Sequence, residues 1–354
     1  MRVLVAMSGG VDSSVAAYEL VAQGHEVCGA TLKLWGGASD SGCCSVGDVD
    51  DARRVAQQIG IAHYVFDMTE SFQAAVVDHY VAAHAGARTP NPCIECNRHI
   101  KFDRLLDRAI RLGFDALATG HHARVIRGSA GSPHQLCRGA DPDKDQSYVL
   151  SMLNQEHLGR LLFPIGDRQK SEVRALAASL GLRTAAKPDS QDVCFVRSDE
   201  GRARFLDRRL DYRPARVIDT TTGVEAGRVD ALELVTVGQR RGMPRGADGT
   251  RRYVGAVDPA TRTVFIGRAE DVARALVVLE PGSLTWVDAP LSDASAVIAQ
   301  MSAHGRPIAG TLVLSGPAPS IRLPEPDRPV APGQTVALYD PARPDRVLGA
   351  GVVR

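Results

Sequence analysis

Short apolar runs alternate with amphipathic stretches through the first half of the chain. The runs are typical of buried strands, and the stretches between them repeat apolar residues at helical spacing. The predicted strands are Arg2–Met7, Glu26–Leu34, His63–Phe66 and Ala116–Thr119. The predicted helices are Ser13–Gln23, Val49–Ile59, Phe72–Ala85, Arg98–Leu112 and Ser171–Leu180. This alternation predicts an α/β fold with a doubly wound parallel sheet, which binds ligands at the carboxyl ends of its strands.

The pattern changes near residue 200, where short β-prone runs broken by turn residues replace the helices. These runs are Ala215–Asp219, Glu233–Thr236, Tyr253–Val257, Thr263–Ile266, Leu276–Leu279, Leu284–Val287, Ala296–Met301, Gly310–Leu314, Thr335–Tyr339 and Val347–Val353. Short strands with frequent turns are typical of a small barrel or sandwich. We therefore expect a second, β-rich half of the chain.

Composition narrows the class of protein without naming a function. The 354 residues are 44% hydrophobic and 23% charged, which is typical of a globular protein of two or three domains. No apolar run approaches the ~20 residues of a membrane span, and the N-terminus lacks a secretory signal. We therefore expect a cytoplasmic protein that does not bind a membrane.

Charge gives only local indications of a nucleic-acid partner. The net charge is +1, so no overall field attracts a polyanion. Two groups of arginines stand out, and they read either as nucleic-acid contacts or as a solvated surface. They are Arg202, Arg204, Arg208 and Arg209, and then Arg240, Arg241, Arg245, Arg251 and Arg252.

A glycine-rich loop follows the first predicted strand and precedes the first helix. It is the segment Ser8–Ser14, with the sequence SGGVDSS. Glycines let the backbone approach a ligand, and N–H groups at a helix start hold phosphate oxygens. Asp12 suggests a nearby Mg²⁺, and the missing lysine excludes a kinase-type P-loop. The loop resembles that of the ATP-pyrophosphatase superfamily, whose members transfer AMP to a substrate oxygen; an ordinary serine-capped glycine turn is the alternative.

Seven cysteines at uneven spacing indicate thiol or metal chemistry rather than a disulfide scaffold. The prolines at 90 and 92 predict a rigid, non-helical lead-in to a helix that starts near Cys96, beside Arg98 and Lys101. A helix start and positive charge both favour a thiolate. Cys194 is far away in sequence, but loops at one end of a parallel sheet can meet. Cys28 and Cys137 fall in predicted strands, and the adjacent Cys43 and Cys44 lack metal-ligand spacing.

Six segments together resemble the tRNA-specific 2-thiouridylase family, which makes 2-thiouridine at the wobble position of certain tRNAs. They span most of the chain: Ser8–Ser14, Arg88–Phe102, Ala118–His122, Lys144–Tyr148, Asp189–Phe195 and Gly238–Met243. The resemblance implies three domains. Residues 1–200 match the ATP-pyrophosphatase domain, 201–270 a small central tRNA-binding domain, and 271–354 a C-terminal β-barrel.

The resemblance also implies roles for individual residues. It implies that Cys96 is the nucleophile and that Cys194 carries persulfide sulfur. The implied ATP-binding residues are Ala6, Met7, Ser8, Gly9, Gly10, Val11, Asp12, Ser13, Leu32 and Gly120. The implied contacts with the target base or tRNA are Asn91, Pro92, Cys93, His121, Lys144, Asp145 and Gln146.

Cofactors and partners follow from the same resemblance. It implies ATP with Mg²⁺, the anticodon stem-loop of tRNA, and a sulfur donor such as a cysteine desulfurase or a relay protein, acting on a monomer. Two alternatives remain: a [4Fe–4S] cluster on Cys93, Cys96 and Cys194, or another adenylating ligase of the superfamily. Two positions depart from the family. Cys93 stands where some members have aspartate, and the stretch 301–306 lacks an Arg-Tyr-Arg-type segment that often reaches tRNA.

Overall fold

A computed structural model describes residues 1–35, 46–129, 131–189, 193–196 and 200–354. Cys43, Cys44 and the segment 190–192 lie outside the described residues. Within the described ranges, every helix is too short or too polar to cross a membrane.

The first part of the chain forms the expected parallel sheet, and the α/β prediction is confirmed. Its strands are β1 (Arg2–Ala6), β2 (Glu26–Lys33), β3 (Ala62–Asp67), β4 (Ala116–Thr119) and, after a hairpin of β5 (Ala123–Ile126) and β6 (Gln135–Arg138), β7 (Leu161–Leu162). Their order in the sheet is β3-β2-β1-β4-β7. The chain therefore reverses its direction of winding at β1, so that the loops after β1 and β4 lie side by side.

Helices cover both faces of this sheet, as its strands, buried on both sides, require. They are α1 (Val11–Ala22), α2 (Val46–Gln58), α3 (Thr69–Phe72), α4 (Asp78–Ala85), α5 (Pro92–Glu95), α6 (Leu106–Arg111), α7 (Gln155–Arg160) and α8 (Lys170–Ser179). A π-helical turn, Gln73–Val77, joins α3 to α4, and a longer π-helical stretch, Cys96–Leu105, joins α5 to α6.

The cysteine helix begins six residues earlier than the predicted Arg98, which corrects that prediction. Pro92 occupies its first position, where a proline has no N–H bond to lose. The Asn91 side chain accepts a hydrogen bond from the Cys93 N–H at 3.0 Å and caps the helix. Cys93 rather than Cys96 therefore lies in the first turn, where a helix dipole acts most strongly.

A four-stranded sheet follows α9 (Gly201–Asp207). Its strands are β8 (Ala215–Asp219), β9 (Val224–Val229), β10 (Tyr253–Asp258) and β11 (Thr263–Gly267), in the order β10-β11-β8-β9. The predicted strand Glu233–Thr236 is wrong, because a 3₁₀ turn, Leu232–Leu234, stands there. The Glu233 carboxylate binds Arg213 at 2.6 Å instead of facing solvent from a strand. Arg252 is also structural, because it is buried and pairs with Asp219 at 2.8 Å.

The C-terminal part forms a seven-stranded antiparallel sheet after the short helix α10 (Ala269–Val272). Its strands are β12 (Arg274–Val278), β13 (Thr285–Trp286), β14 (Ala296–Gln300), β15 (Ile308–Val313), β16 (Ser320–Asp327), β17 (Thr335–Tyr339) and β18 (Val347–Val352). We call this part the barrel unit. Strand β16 was not predicted, because its two prolines disfavour a strand. They lie between Arg322 and Asp327, where the pairing of β16 with β12 is irregular.

The main hydrophobic core crosses from the parallel sheet into the barrel unit. It contains Leu4 and Leu117 from the sheet together with Tyr339 and Val347 from β17 and β18. The four-stranded sheet has a core of its own, which includes Val217 and other residues. The parallel sheet and the barrel unit therefore share one hydrophobic core.

Where the four-stranded sheet meets α4, a buried histidine makes stability depend on pH. His84 Nδ1 lies 3.2 Å from the Glu233 carbonyl oxygen, and the side chain is 1% exposed. Burial, aided by the charge of Arg202, lowers the pKa of His84 to about 4. As the pH falls, the His84 ring of the unfolded chain is protonated near pH 6.5, whereas the ring of the folded chain stays neutral until about pH 4. The free energy of unfolding is therefore unaffected by His84 above pH 6.5 and falls as the pH drops from 6.5 toward 4.

We expect His84→Gln to flatten this dependence. From the pKa difference, His84 costs the wild type about 2 kcal/mol of unfolding free energy between about pH 7 and pH 5. Urea unfolding of both proteins at the two pH values measures it. Parallel losses in wild type and variant would contradict the prediction.

Candidate active site

The loop between β1 and α1 is shaped by two glycines. Gly9 has φ +72°, and a Cβ there would lie 2.2 Å from the Asp48 carbonyl oxygen. A Cβ on Gly120, just after β4, would lie 2.6 Å from the Ser13 nitrogen. Only glycine fits at either position, and the loops after β1 and β4 touch at the carboxyl end of the sheet.

Hydroxyl groups line this loop. The Ser13 Oγ accepts from the Ser8 N–H at 3.1 Å, and the Ser14 Oγ donates to the Gly10 carbonyl at 2.8 Å. The predicted ATP residues Ala6 and Met7 end and follow β1, while Leu32 is buried in β2. Backbone N–H groups at the start of α1 and these hydroxyls form a cradle suited to phosphate oxygens.

Asp12, in the middle of the loop, is bound by two residues to which the sequence analysis gave no role. Lys170 Nζ lies 2.7 and 2.6 Å from its two carboxylate oxygens. His122 Nε2 lies 3.2 Å from Asp12 Oδ1. Burial opposes ionisation of Asp12, but the hydrogen bonds from His122 and Lys170 outweigh it and lower its pKa. The loop thus carries an ionised carboxylate already matched by a cation.

Asp189 joins the same network from a position 177 residues after Asp12. Its carboxylate binds Lys170 at 2.9 Å, Lys144 at 2.9 Å and Arg174 at 2.7 Å. Burial works against ionisation here too, and the bonds from Lys144 and Lys170 hold the pKa of Asp189 well below its ordinary range. Asp141 completes the arrangement by accepting the Lys170 N–H at 2.8 Å, which fixes the start of α8.

A second lysine closes the other side of the loop. Lys187 Nζ donates to the Gly9 carbonyl at 2.9 Å and pairs with Asp48 at 2.5 Å and Asp51 at 2.7 Å. The loop lacks a lysine of its own, and the fold supplies two from distant positions. The composition could have pointed to these lysines, because lysine is rare in this chain. Only five of the 42 basic residues are lysines: Lys33, Lys101, Lys144, Lys170 and Lys187. Three of them meet at this site.

The two cysteines predicted to be catalytic share one hydrophobic cluster. Cys96 is buried within the main core, and Cys194 packs against the same core, although the two are far apart in sequence. Cys93 is exposed at the helix start. The neighbour of Cys194, Phe195, is 4% exposed and contacts the rings of Tyr80 at 5.4 Å and Phe205 at 5.1 Å, among others. This aromatic contact fixes the backbone beside Cys194.

The predicted tRNA-contacting residues already have partners within the protein. His121 is buried, with its ring between Phe102 and Phe163, each at 5.8 Å, and burial lowers its pKa well below the ordinary value. The Asp145 carboxylate binds Arg138 at 2.7 Å, and the Gln146 side chain accepts from the backbone N–H of His122 at 2.9 Å. Their contact with tRNA stays a prediction.

The cysteines do not present the geometry of a metal centre. Among the described residues, no three or more His, Cys, Asp or Glu side chains come together as a set able to hold a metal ion. Cys93, Cys96 and Cys194 all lie within that part of the chain, so this arrangement does not fit a [4Fe–4S] cluster held by the three thiolates.

Known proteins resemble this chain over its whole length. Three family models match in succession: a tRNA methyl transferase HUP domain over residues 1–198, a tRNA methyl transferase PRC-barrel domain over 203–268, and an aminomethyltransferase beta-barrel domain over 279–353. The tRNA-specific 2-thiouridylase MnmA of Salinispora arenicola is 46% identical over 363 aligned residues, which cover 100% of this chain and 99% of the relative. That of Acidothermus cellulolyticus is 44% identical and covers 100% and 97%.

This chain belongs to the tRNA-specific 2-thiouridylase family. The resemblance drawn from the six sequence segments is thereby confirmed. A solved structure, the U34-tRNA thiolase NcsA from Methanococcus maripaludis with its [4Fe–4S] cluster, aligns over 55% of this chain and 61% of its own at 19% identity, with a TM-score of 0.36. In this member of the 2-thiouridylase family, the Ser8–Ser14 loop and the lysines around it lie at the carboxyl end of the parallel sheet, and Cys96 and Cys194 pack on one hydrophobic core.

Proposed function

We propose that the protein catalyses ATP-dependent 2-thiolation of the wobble uridine in tRNA, through an adenylated uridine and a cysteine persulfide. AMP and pyrophosphate are released. One observation carries the proposal: a member of the 2-thiouridylase family combines the Ser8–Ser14 cradle with two cysteines, Cys96 and Cys194, that pack on the same hydrophobic core. A phosphate site supplies activation, and two thiols supply sulfur transfer.

The loop and its lysines activate the uridine. The Ser8–Ser14 cradle holds the triphosphate, and the C2 oxygen of the uridine attacks the α-phosphate with loss of pyrophosphate. Lys170, whose ammonium group binds Asp12 in this loop, supports the proposal as a source of positive charge for the phosphates, the task of the lysine that the loop lacks. Asp12 is the residue that would hold Mg²⁺, because a carboxylate oxygen is a preferred ligand of that ion and the ion would neutralise phosphate charge.

The cysteines carry out the exchange of oxygen for sulfur. The terminal sulfur of a Cys194 persulfide attacks C2, and AMP leaves with the former C2 oxygen. Cys96 thiolate then attacks the Cys194 sulfur, which breaks the S–S bond, leaves sulfur on C2 and forms a Cys96–Cys194 disulfide that an external thiol reduces. In a second route, Cys96 first releases sulfide from the persulfide. Thiolates are needed in both.

The proposal extends to the surroundings of the reaction. The substrate is the anticodon stem-loop of Lys, Glu or Gln tRNA, with the target base unstacked into the site through contacts that include Asn91, Pro92 and Cys93. Sulfur comes from a cysteine desulfurase or a relay protein, and the enzyme works in the cytoplasm as a monomer. Residues 1–200 act on ATP and sulfur, while 201–270 and 271–354 help hold the tRNA. The exposed arginines Arg240 and Arg241 support this assignment for the central part.

Nucleoside mass spectrometry tests the proposed function. Unmodified tRNA-Glu transcript is incubated with the protein, ATP, Mg²⁺ and a persulfide donor, and 2-thiouridine is measured together with pyrophosphate. Both products should appear, and pyrophosphate should require tRNA. Pyrophosphate released instead with citrulline or xanthosine monophosphate, and no thiolated tRNA, would point to another adenylating ligase and overturn the proposal.

A further inference from the structure

A turn of the barrel unit holds the backbone just before the cysteine helix. The Thr89 N–H donates to the Pro332 carbonyl at 2.7 Å, and the Thr89 carbonyl accepts from the side-chain amide of Gln334. Both backbone groups of one residue are thus paired with one turn, 245 positions away in sequence. This double contact fixes both the position and the direction of the segment.

Gly333, between the two contacting residues, lets the turn lie this close. It has φ +87°, and a Cβ there would lie 3.3 Å from the nitrogens of both Thr89 and Pro90. The turn is itself anchored, because Gly333 N–H donates to the Val353 carbonyl and Val353 N–H donates to the Gln334 carbonyl, each at 2.8 Å. The barrel therefore presents a rigid contact surface rather than a loose loop.

A charged pair beside the turn strengthens the contact. The Arg88 guanidinium binds the Glu280 carboxylate, and both side chains are 34% exposed. Glu280 follows β12 and its N–H donates to the Val352 carbonyl at 2.8 Å, so the carboxylate sits on the same end of the barrel as the turn.

The segment between Thr89 and Cys93 is conformationally restricted, so a shift of Thr89 also shifts the cysteine helix. Pro90 and Pro92 have fixed φ angles, and each restricts the residue before it. Asn91 then caps the helix by accepting the Cys93 N–H. A displacement of Thr89 therefore moves the start of the helix, and with it Cys93 and Cys96.

We infer that the barrel turn 332–334 is a positioning element for sulfur transfer, with Gln334 as its principal side chain. The inference rests on the proposed function and deepens it. The C-terminal unit, in this view, aligns the base-contacting segment and Cys96 with the adenylated uridine, in addition to any grip on tRNA. Misplacement of reacting groups by about 1 Å can cost up to 100-fold in rate, so a backbone clamp here controls the chemical step.

Gln334→Ala tests the inference against a matched control, Gln155→Ala. Gln155 also bridges to the barrel unit, donating its side-chain amide to the Val287 carbonyl at 2.7 Å, and its other hydrogen bonds go to the backbone of His134 rather than to Arg88–Cys93. We expect Gln334→Ala to lower kcat for 2-thiouridine formation roughly tenfold, with KM for tRNA and ATP changed less than about twofold. Gln155→Ala should keep the wild-type kcat. Equal kcat in Gln334→Ala and wild type, or equal losses in the two variants, would overturn the inference.

Charge reversal across Arg88 and Glu280 gives a second test that separates alignment from instability. Arg88→Glu alone should lower kcat because two carboxylates then face each other. Adding Glu280→Arg should restore most of kcat, with thermal unfolding followed in parallel. A double variant as stable as wild type yet as slow as the single variant would contradict the inference. If wild type itself makes no 2-thiouridine, the proposed function fails first, and the two failures are distinct.

Discussion

Cys194→Ser should bind ATP as wild type does and lose 2-thiouridine formation by at least about 10³-fold, as enzymes do when a nucleophile is removed. A serine oxygen cannot carry persulfide sulfur, so no other group at this position can take its place. Cys137→Ser is the matched control, because Cys137 is fully buried in β6, away from the cysteine helix. It should keep the wild-type rate. Normal thiolation by Cys194→Ser would point to free sulfide as the donor.

Cys96→Ser separates the two routes of sulfur transfer. If the Cys194 persulfide attacks C2 directly, the variant lacks the thiol that breaks the S–S bond, and tRNA should stay linked to the protein until a reducing thiol is added. If Cys96 must first release sulfide, no such adduct forms and the adenylated tRNA accumulates. Denaturing gels with and without reductant distinguish these results. Turnover at the normal rate in Cys96→Ser would exclude both routes.

Lys170→Met should reduce tRNA-dependent pyrophosphate release by roughly 10²–10³-fold, the usual cost of losing a charged group that stabilises a transition state. The lysine side chain is only 9% exposed and contacts both oxygens of Asp12, so its charge acts in a partly desolvated loop. Lys144→Met is the control, since it also loses a bond to Asp189 but makes none to Asp12. Its pyrophosphate release at saturating tRNA should stay near that of wild type.

Quenched-flow measurement of pyrophosphate, with folding checked by circular dichroism, decides the role of Lys170. Lys170→Arg should recover part of the rate, because it keeps the charge but not the compact ammonium geometry. A folded Lys170→Met enzyme that releases pyrophosphate at the wild-type rate would show that Lys170 serves only to hold the loop together.

The strands of the parallel sheet and the phosphate loop could be predicted because the sequence pattern of each is local. Apolar runs such as Ala116–Thr119 match β4 to the residue, and SGGVDSS names its chemistry within seven positions. The start of the cysteine helix could not be predicted in the same way. A proline usually ends or interrupts a helix, but it is tolerated at the first helical position. The Asn91 cap shows that Pro92 starts this helix rather than ending one.

The contacts of Lys144, Lys170 and Lys187 around the phosphate loop could not be predicted, because the residues involved are far apart in sequence and come together only in the folded protein. Lys170 and Asp189 are more than 150 positions from Asp12. Lys170 lies in none of the six family segments, and Asp189 opens one of them without a role of its own. The count of lysines is a better guide than their positions. Only five of the 42 basic residues are lysines, and three of these five lie around one loop.

The core shared by the parallel sheet and the barrel unit also affects how the protein is made. Domains commonly fold as they leave the ribosome, the N-terminal one first. Here the core around Leu4 and Leu117 includes Tyr339 and Val347, and β18 supplies the last strand of the barrel sheet. The first 200 residues thus emerge with apolar surface that nothing covers until the final segment is synthesised. A chain truncated before β17 therefore lacks part of its main core, and we expect it to aggregate more readily than the whole chain.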